Sequence, residues 1–390
     1  MKKNLAIVHV GFALTGVVTT LLGPLLPLLL AAWRLNDAQA GRLFTTQFVT
    51  CVTAAVLSGE AVARWGASRI VPLGMFLIAV GVVVLGLAPG VVVGMIGIGI
   101  YAVGLGLALP ATNLLISELA GERRAAALNV LNFSWTLGAV LAPLVIAAML
   151  KPFGVRGFLF SLAAVVFVIG TVEGFMFPEA PKVTAEIRNG KLPPQTRLWF
   201  AVAMLAFMFL YIGIENGFSG WVSAFTVRTE RSSVFATALV QSSFWATLLL
   251  GRLIAPLTLR FIRTGSLIFY GMVIGSAGIV IALASPEIAL LEFGVLLCGF
   301  GLGPVFPTSI ALFTEWYGTR GTGSSIVLGA CGLGGAVVPW IVGVVSDRSH
   351  NLRLGIAVTL ACMAVAAVLH WRITAVTESE PTRAAGATGP

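Results

Sequence analysis

Long apolar segments, separated by short polar turns, run along almost the whole chain. At a rise of about 1.5 Å per residue, a helix of about 20 apolar residues crosses the hydrocarbon core of a bilayer. The segments predict twelve spans, at 5–32, 38–62, 70–88, 91–118, 124–150, 154–177, 198–226, 234–258, 265–284, 286–314, 321–345 and 352–376. The pattern therefore predicts an all-α membrane protein with twelve transmembrane helices.

A polar, proline-containing stretch divides the predicted spans into two groups of six. Prolines and polar residues between apolar segments are typical of a linker. We expect an N-terminal six-helix bundle at 1–177, a cytoplasmic linker at 178–197 and a C-terminal six-helix bundle at 198–377. The small, polar residues of 378–390 predict a disordered tail.

The two groups of spans repeat one another at a constant offset. Residues of the first group recur 197 positions later as Gly16 and Gly213, Gly23 and Gly220, Gly104 and Gly301, Gly106 and Gly303, and Pro110 and Pro307. An offset that is kept over several helices indicates two bundles related by a parallel pseudo-two-fold repeat. In such repeats the substrate site lies at the interface of the two bundles, near the bilayer midplane.

Composition excludes several other classes of protein. Hydrophobic residues make up 58% and charged residues 10% of the chain, far from the average of a soluble domain. The net charge of +9 does not indicate nucleic-acid binding, because the basic residues lie in short loops between spans. The cysteines and histidines lack metal-ligand spacing, and no phosphate-binding loop is present. We therefore expect no metal, no cofactor and no enzymatic activity.

Lysine and arginine also predict the orientation. With the N-terminus inside, fifteen of them fall in cytoplasmic segments and eight in outer loops. The positive-inside rule then predicts that both termini are cytoplasmic. We expect a monomer in the bilayer of the bacterial cytoplasmic (inner) membrane.

The loop after the second span carries part of a family motif. Gly59, Arg64, Gly66 and Arg69 match G-x-x-x-D-R-x-G-R, with Ala63 in place of the aspartate. Together with twelve spans, the repeat and the linker, this resembles the major facilitator superfamily. The resemblance implies a secondary transporter that works by alternating access, and it makes Arg64 a candidate gating residue. The missing aspartate is a departure from the family's motif at the usual charge-relay latch of the outward-open state.

The stretch 211–221, YIGIENGFSGW, places Glu215 near the middle of the seventh span. A carboxylate at membrane depth costs at least about 2.5 kcal/mol, and such residues mark transport and proton paths. Taking up a proton relieves this cost, so Glu215 is the candidate proton-coupling residue. The alternative is a structural glutamate that a neighbouring helix satisfies. Glu215 followed by Gly220-Trp221 is similar to the seventh span of fucose-permease-like and sodium-glucose-type sugar carriers.

Amides and tryptophans within the spans are candidate substrate-binding groups. An amide both donates and accepts hydrogen bonds, and an indole ring packs on the apolar face of a sugar. The candidates are Gln47, Asn113, Asn129, Asn132, Trp135, Asn216, Gln241 and Trp245. Interfacial belts are the alternative role for the tryptophans.

Arg252 lies within the eighth span, about two turns from its cytoplasmic end. We predict a gate or a structural ion pair with a carboxylate such as Glu60 or Glu173. A snorkelling side chain is the alternative.

Two functions follow from these residues. The first is a symporter that imports a small neutral polar solute, with a sugar as the leading candidate and a proton, or alternatively sodium, as the coupling ion. The second is a proton antiporter that exports amphipathic drugs, metabolites or lipids. Superfamily antiporters carry G-x-x-x-G-P-x-x-G-G in the fifth span; Gly138 and Pro143 remain here, but Ala142, Ile146 and Ala147 replace the other glycines. This difference favours import. A receptor or scaffold on the same fold is a third possibility.

Overall fold

The computed structural model describes residues 2–120, 124–176, 194–230, 233–317 and 323–386. Within these ranges the secondary structure is helical and contains no strand. The helices are α1 (Lys2–Thr19), α2 (Leu22–Trp33), α3 (Asp37–Trp65), α4 (Ala67–Leu87), α5 (Val91–Ala120), α6 (Arg124–Met176), α7 (Pro194–Glu230), α8 (Val234–Thr258), α9 (Thr264–Ala284), α10 (Ile288–Leu302), α11 (Val305–Tyr317), α12 (Gly323–Ser349) and α13 (Leu352–Gly386). The predicted linker at 178–197 lies outside the described residues up to position 193.

Eleven helical segments of the described chain are long and apolar enough to cross a membrane. One of them, Ala126–Met176, has 51 residues, more than twice the length that a single crossing needs. Gly154 interrupts it with φ of 65° and ψ of −179°, a conformation open to glycine because it has no Cβ. α6 therefore consists of two helical segments that meet where the sequence separates its fifth and sixth spans.

Two predicted spans are broken in the structure. The span at 5–32 divides into α1 and α2 around Thr20 and Leu21, and the span at 286–314 divides into α10 and α11 at Gly303 and Pro304. Pro304 has no backbone N–H and therefore cannot continue the hydrogen-bond ladder of α10. Hydropathy predicts continuous helices here because it reports apolar length and not local backbone geometry.

The last helix also differs from the expectation for the C-terminus. α13 continues to Gly386, through most of the segment 378–390 that the sequence predicts to be disordered. Alanine, glutamate and arginine in this segment have high helix propensity, which lets the helix extend beyond its apolar part.

Helices approach one another at glycines, and the same approaches recur in the second half. A Cβ at Gly106 would overlap the Cys51 carbonyl, and a Cβ at Gly303 would overlap the Leu248 carbonyl, 197 positions later in both cases. The other repeated approaches are Gly81 to Tyr101 and Gly278 to Cys298, Gly97 to Leu85 and Gly294 to Ala282, and Gly138 to Ala13 and Gly334 to Phe209. The sequence repeat is therefore also a repeat of helix packing.

The two halves of the chain, α1–α6 and α7–α13, meet along α3 with α12, α6 with α8 and α2 with α7. On α3 the contact begins at its first turn and continues to Val52, which lies against Gly332. Thr45 lies on α3 between its first turn and Val52, and it donates a hydrogen bond to the Ala336 carbonyl of α12 at 3.0 Å. Beyond this point a Cβ at Gly59 would have no neighbour within 4 Å. The halves thus close on each other near the start of α3, which we call the closed end.

Candidate functional site

Glu215 is buried on α7, with 4% of its surface exposed. Its Oε2 atom lies 2.8 Å from the hydroxyl of Tyr211, one helical turn earlier. Residues four positions apart share a face of a helix, so the sequence itself brings these two groups together. Glycines at positions 213 and 217 face Val338, which lets α7 pack closely on α12.

Arg252 on α8 is the cation that faces Glu215. Its Nη2 atom lies 3.6 Å from Glu215 Oε2, and both side chains are largely buried. The sequence suggests Glu60 or Glu173 as the carboxylate partner of Arg252, and this choice of partner is wrong. Glu60 pairs with Arg64 on its own helix, and Glu173 packs against α1. Glu215 therefore carries a charge partner and is not the isolated carboxylate that the sequence indicates.

Arg252 also reaches the other half of the molecule. Its Nη1 atom donates a hydrogen bond to Thr136 Oγ1 on α6 at 3.2 Å. The Thr136 hydroxyl donates its own proton to the Asn132 carbonyl at 3.0 Å, which leaves its oxygen free to accept from the guanidinium. One side chain thus connects the buried carboxylate of α7 with the first half of the chain.

Two predicted aromatic residues meet next to this connection. Trp135 of α6 and Trp245 of α8 pack edge to face, with ring centroids 5.9 Å apart and an interplanar angle of 80°. The Nε1 atom of Trp245 and the Nε atom of Arg252 are buried and have no hydrogen-bond partner among the described residues. Unpaired buried donors are expensive, so these two N–H groups are available to an acceptor on a ligand.

The two predicted glutamines are buried and bonded within the protein. Gln47 donates to the Thr19 carbonyl at 2.8 Å and accepts from the Tyr101 hydroxyl at 2.6 Å. Gln241 accepts from the hydroxyl of Ser223. In this conformation both side chains join helices, and neither contacts Glu215.

The structure does not gather the predicted asparagines around Glu215. Asn113, Asn132 and Asn216 each donate to the backbone carbonyl four positions earlier, at 2.8–2.9 Å. Asn129 is exposed on α6. The side-chain oxygens of Asn113, Asn132 and Asn216 can still accept hydrogen bonds, but these residues lie on three different helices and do not form one cluster.

Arg64, the predicted gating residue of the family motif, lies at the surface. It forms an ion pair with Glu60 at 2.5 Å, and the two side chains are 66% and 64% exposed. Because both residues belong to α3, this pair does not connect the two halves.

The closed end contains an ion pair that sequence reasoning missed. Arg228 of α7 binds both carboxylate oxygens of Asp37 on α3, at 2.7 and 2.5 Å. Ser346 of α12 donates to the same carboxylate at 2.6 Å. Asp37 and Arg228 are 191 positions apart, and each reads as an ordinary polar residue at the end of a span. No signal in the sequence pairs them.

The interior site brings together a titratable carboxyl group and several hydrogen-bond donors. It has one carboxyl group, one guanidinium, a phenol and a tryptophan N–H, all at the boundary between α6, α7 and α8. No group of three or more potential metal-ligating side chains occurs within the described residues.

Comparisons with known proteins identify the fold. The "Sodium-dependent glucose transporter 1" of Homo sapiens is 19% identical over 91% of this chain and 76% of its own. The "Gentisate transporter" of Corynebacterium glutamicum is 24% identical over 86% and 80%. "Bypass of stop codon protein 6" of Saccharomyces cerevisiae is 27% identical, but the match spans 36% of this chain and 31% of that protein.

Solved transporter structures superpose on nearly the full length of this chain. A bacterial homologue of the human lysosomal transporter Spinster, in an inward-facing and unoccupied conformation, superposes with a TM-score of 0.81 at 16% identity, covering 95% of this chain and 96% of that one. The transporter FucP in the outward conformation gives 0.63 at 17% identity, covering 95% and 98%. The family model described as Major Facilitator Superfamily matches residues 8–339. The chain belongs to the major facilitator superfamily and is an integral, multi-pass membrane transporter rather than an enzyme.

Proposed function

We propose that this protein is a proton-coupled symporter that carries a small neutral polar solute, with a sugar as the leading candidate. The observation that carries the proposal is the buried Glu215, whose carboxylate faces Arg252 at 3.6 Å at the boundary of the two halves. A carboxyl group in this position can load and release a proton as its exposure changes.

Alternating access between two six-helix bundles, 1–177 and 198–377, is the proposed mechanism. The repeated glycine approaches and the interruption at Gly154 support twelve spans in two equivalent groups. Contact at the closed end supports a conformation whose cavity faces the opposite side. With both termini in the cytoplasm of a bacterial cell, the closed end is extracellular and the cavity faces inward.

The proton acts through charge. Ionised Glu215 attracts Arg252, whereas protonated Glu215 does not. A guanidinium that is released from Glu215 is free to change its contact with Thr136 of the other half, which makes Arg252 the gating residue. Sodium is the alternative coupling ion, and Arg64 stays a candidate for the gate on the cytoplasmic side.

The solute binds, in this proposal, beside the pair of Trp135 and Trp245. A sugar ring would pack on an indole while one of its hydroxyl groups accepts from the unpaired Nε1–H of Trp245. The amides that the sequence predicts, Gln47, Asn113, Asn129, Asn132, Asn216 and Gln241, remain candidate contacts, although the structure does not gather them around Glu215. The names of the relatives, a sodium-dependent glucose transporter among them, support a sugar.

The same site favours a second candidate, a small organic anion. Arg252 and the Trp245 N–H are donors without acceptor capacity, and protonation of Glu215 leaves the guanidinium without a counter-charge. A carboxylate would supply both the acceptor and the charge. The relative named gentisate transporter supports this class.

Transport by the purified full-length protein in liposomes tests the proposal. Labelled glucose, fucose and gentisate are offered with an inward pH gradient, an inward sodium gradient or no gradient. We expect a hexose to accumulate with the pH gradient alone. Accumulation with sodium alone would replace the coupling ion, and accumulation of gentisate alone would select the anion.

A second arm tests direction. Liposomes preloaded with a fluorescent amphipathic drug are given a pH gradient, and loss of the dye with no uptake of any of the three solutes would favour the exporter. Absence of gradient-driven movement of all four probes would contradict the proposal.

A further inference from the structure

We infer that Tyr211 relays the protonation state of Glu215 to the break between α10 and α11, a role that rests on Glu215 being the proton-coupling residue proposed above. Tyr211 is then a positioning residue whose single hydroxyl proton changes partner. The protein would thereby connect its buried carboxyl group to a backbone hinge in the tenth span.

The geometry at Tyr211 gives the hydroxyl two acceptors. Its oxygen lies 2.8 Å from Glu215 Oε2 and 2.9 Å from the Leu302 carbonyl oxygen. A phenol has one proton to donate, and both a carboxylate and a carbonyl can only accept. With Glu215 ionised, Tyr211 can satisfy only one of the two.

Protonation of Glu215 removes this conflict. The carboxylic acid then donates to the phenol oxygen, and the phenol donates to Leu302. All three groups are satisfied in a single chain, from Glu215 through Tyr211 to the backbone. Loss of the proton turns the Tyr211 hydroxyl toward the carboxylate and takes the donor away from Leu302. One proton enters or leaves at Glu215, and no bond of Tyr211 other than its hydrogen bond changes.

Leu302 is placed where this change affects the backbone. It is the last residue of α10, and Gly303 and Pro304 separate it from α11. Pro304 cannot supply an N–H to this region. An unsatisfied carbonyl in the interior costs about 1–3 kcal/mol, so the Tyr211 bond contributes to the geometry of the break.

The Tyr211 ring holds both sides of the break. Its hydroxyl binds the end of α10, and its ring stacks on Phe306 of α11, with centroids 6.0 Å apart and an interplanar angle of 19°. A rotation of the hydroxyl therefore loosens one attachment while the stacked ring keeps the other. α11 can then change its angle to α10 with Tyr211 as the fixed point.

Other groups that face Glu215 are few within the described residues. Arg252 is the charged group, from α8. Cys298 of α10 and Cys331 of α12 are the titratable groups of the remaining helices that lie near Glu215, and both are buried, free thiols. Loss of the Glu215 proton therefore acts on two links at once, Arg252 toward α6 and Tyr211 toward α10.

Infrared difference spectroscopy on the purified full-length protein in lipid tests the relay, with the proton as the only ligand. Spectra at acidic and alkaline pH are compared for protein with ordinary and with ring-deuterated tyrosine. In the wild type we expect a carboxyl band from Glu215 and tyrosine bands that appear over the same pH range. Tyr211→Phe, which keeps the ring, should lose the tyrosine bands and shift the carboxyl band to the frequency of a more weakly hydrogen-bonded acid.

Tyr101→Phe is the matched control. Tyr101 is also fully buried and also donates to a side chain, but its acceptor is the neutral amide of Gln47. Tyrosine bands should therefore survive in Tyr101→Phe. Bands that persist in Tyr211→Phe, or a Glu215 carboxyl band without any tyrosine change in the wild type, would overturn the relay.

Glu215→Gln separates this inference from the proposed function. It should lose the carboxyl and the tyrosine bands together, and this comparison decides the question even if Tyr211→Phe does not fold. If Glu215→Gln abolishes gradient-driven uptake but keeps the tyrosine bands, the relay fails and the proton-coupling role stands. If Glu215→Gln still accumulates solute, the proposed function itself fails.

Discussion

Two arginine–carboxylate pairs lie at opposite depths of this transporter, and they differ in almost every physical respect. At the closed end, Arg228 binds Asp37 through two short hydrogen bonds and Ser346 completes the carboxylate, although Arg228 is 43% exposed. In the interior, Arg252 approaches Glu215 at a single distance of 3.6 Å, and its Nε atom has no partner among the described residues.

The difference indicates that the pair at the closed end holds two helices in place, whereas the interior pair responds to protonation. A bidentate, fully satisfied pair fixes the relative position of two helices and has little reason to change its protonation state. In a loose pair in an apolar setting, the attraction between the two charges only partly offsets the cost of removing them from water. A single proton on Glu215 then removes most of the attraction. The closed end should therefore set conformation, and the interior pair should set coupling.

The largest effect is expected for Arg252→Ala. Removing one partner of a buried pair leaves an uncompensated charge, which typically costs about 3–5 kcal/mol. The free energy of unfolding should fall by this order at alkaline pH and by less at acidic pH, where Glu215 takes up a proton. Turnover should fall while substrate affinity stays largely intact, as measured by uptake kinetics and by binding.

The double variant Arg252→Ala with Glu215→Gln is the control, and it should regain most of the lost stability. A weakening of substrate binding by more than about 2 kcal/mol in Arg252→Ala would instead place Arg252 in direct contact with the solute.

A smaller effect is expected for Asp37→Asn at the closed end. The substitution removes the negative charge that accepts two hydrogen bonds from Arg228 and one from Ser346. Because Arg228 is partly exposed to solvent, the loss is moderate. We expect a shift of about 1–2 kcal/mol in the opening equilibrium. Spin labels at the exposed positions Gln39 and Asn351 should report a larger fraction of long distances. An unchanged distance distribution would show that other contacts hold this end closed.

Arg228→Lys sharpens the same comparison with a smaller change. Lysine keeps the charge but not the planar fork that matches both carboxylate oxygens. The shift in the opening equilibrium should be about half that of Asp37→Asn, measured with the same two labels. An effect as large as that of Asp37→Asn would mean that geometry, and not charge, accounts for the closure.

The smallest effect is expected for Glu60→Gln. Glu60 and Arg64 form an exposed pair one turn apart on α3, a type that contributes less than about 0.5 kcal/mol. Thermal unfolding should be almost unchanged. A loss comparable to that of Asp37→Asn would show that Arg64 serves the gate in a second conformation.

Sequence predicts those features that are local or periodic. Apolar length gives the spans, and the offset of 197 correctly anticipates that Gly106 and Gly303 occupy equivalent packing positions. Glu215 is identifiable because a carboxylate inside an apolar span is rare. Tyr211 lies four positions before Glu215 and therefore on the same face of the helix.

Features that depend on how helices rotate and pack are not predictable in this way. The sequence predicts a carboxylate partner for Arg252, but the choice of Glu215 depends on the relative rotation of α7 and α8. Arg228 and Asp37 meet only because the two halves close at this end. Several predicted amides bond their own backbone, since a helix carbonyl four positions earlier is always within reach, whatever the sequence pattern.

The accumulation ratio of the transported solute in liposomes with an imposed pH gradient, measured for wild type and for Glu215→Gln, tests proton coupling most directly. Glutamine keeps the size and the hydrogen bonding of Glu215 but cannot ionise, and exchange of labelled for unlabelled solute without a gradient controls for folding and binding. We predict exchange near the wild-type rate with an accumulation ratio close to one. A Glu215→Gln protein that still concentrates solute when only the pH gradient is supplied would contradict the account.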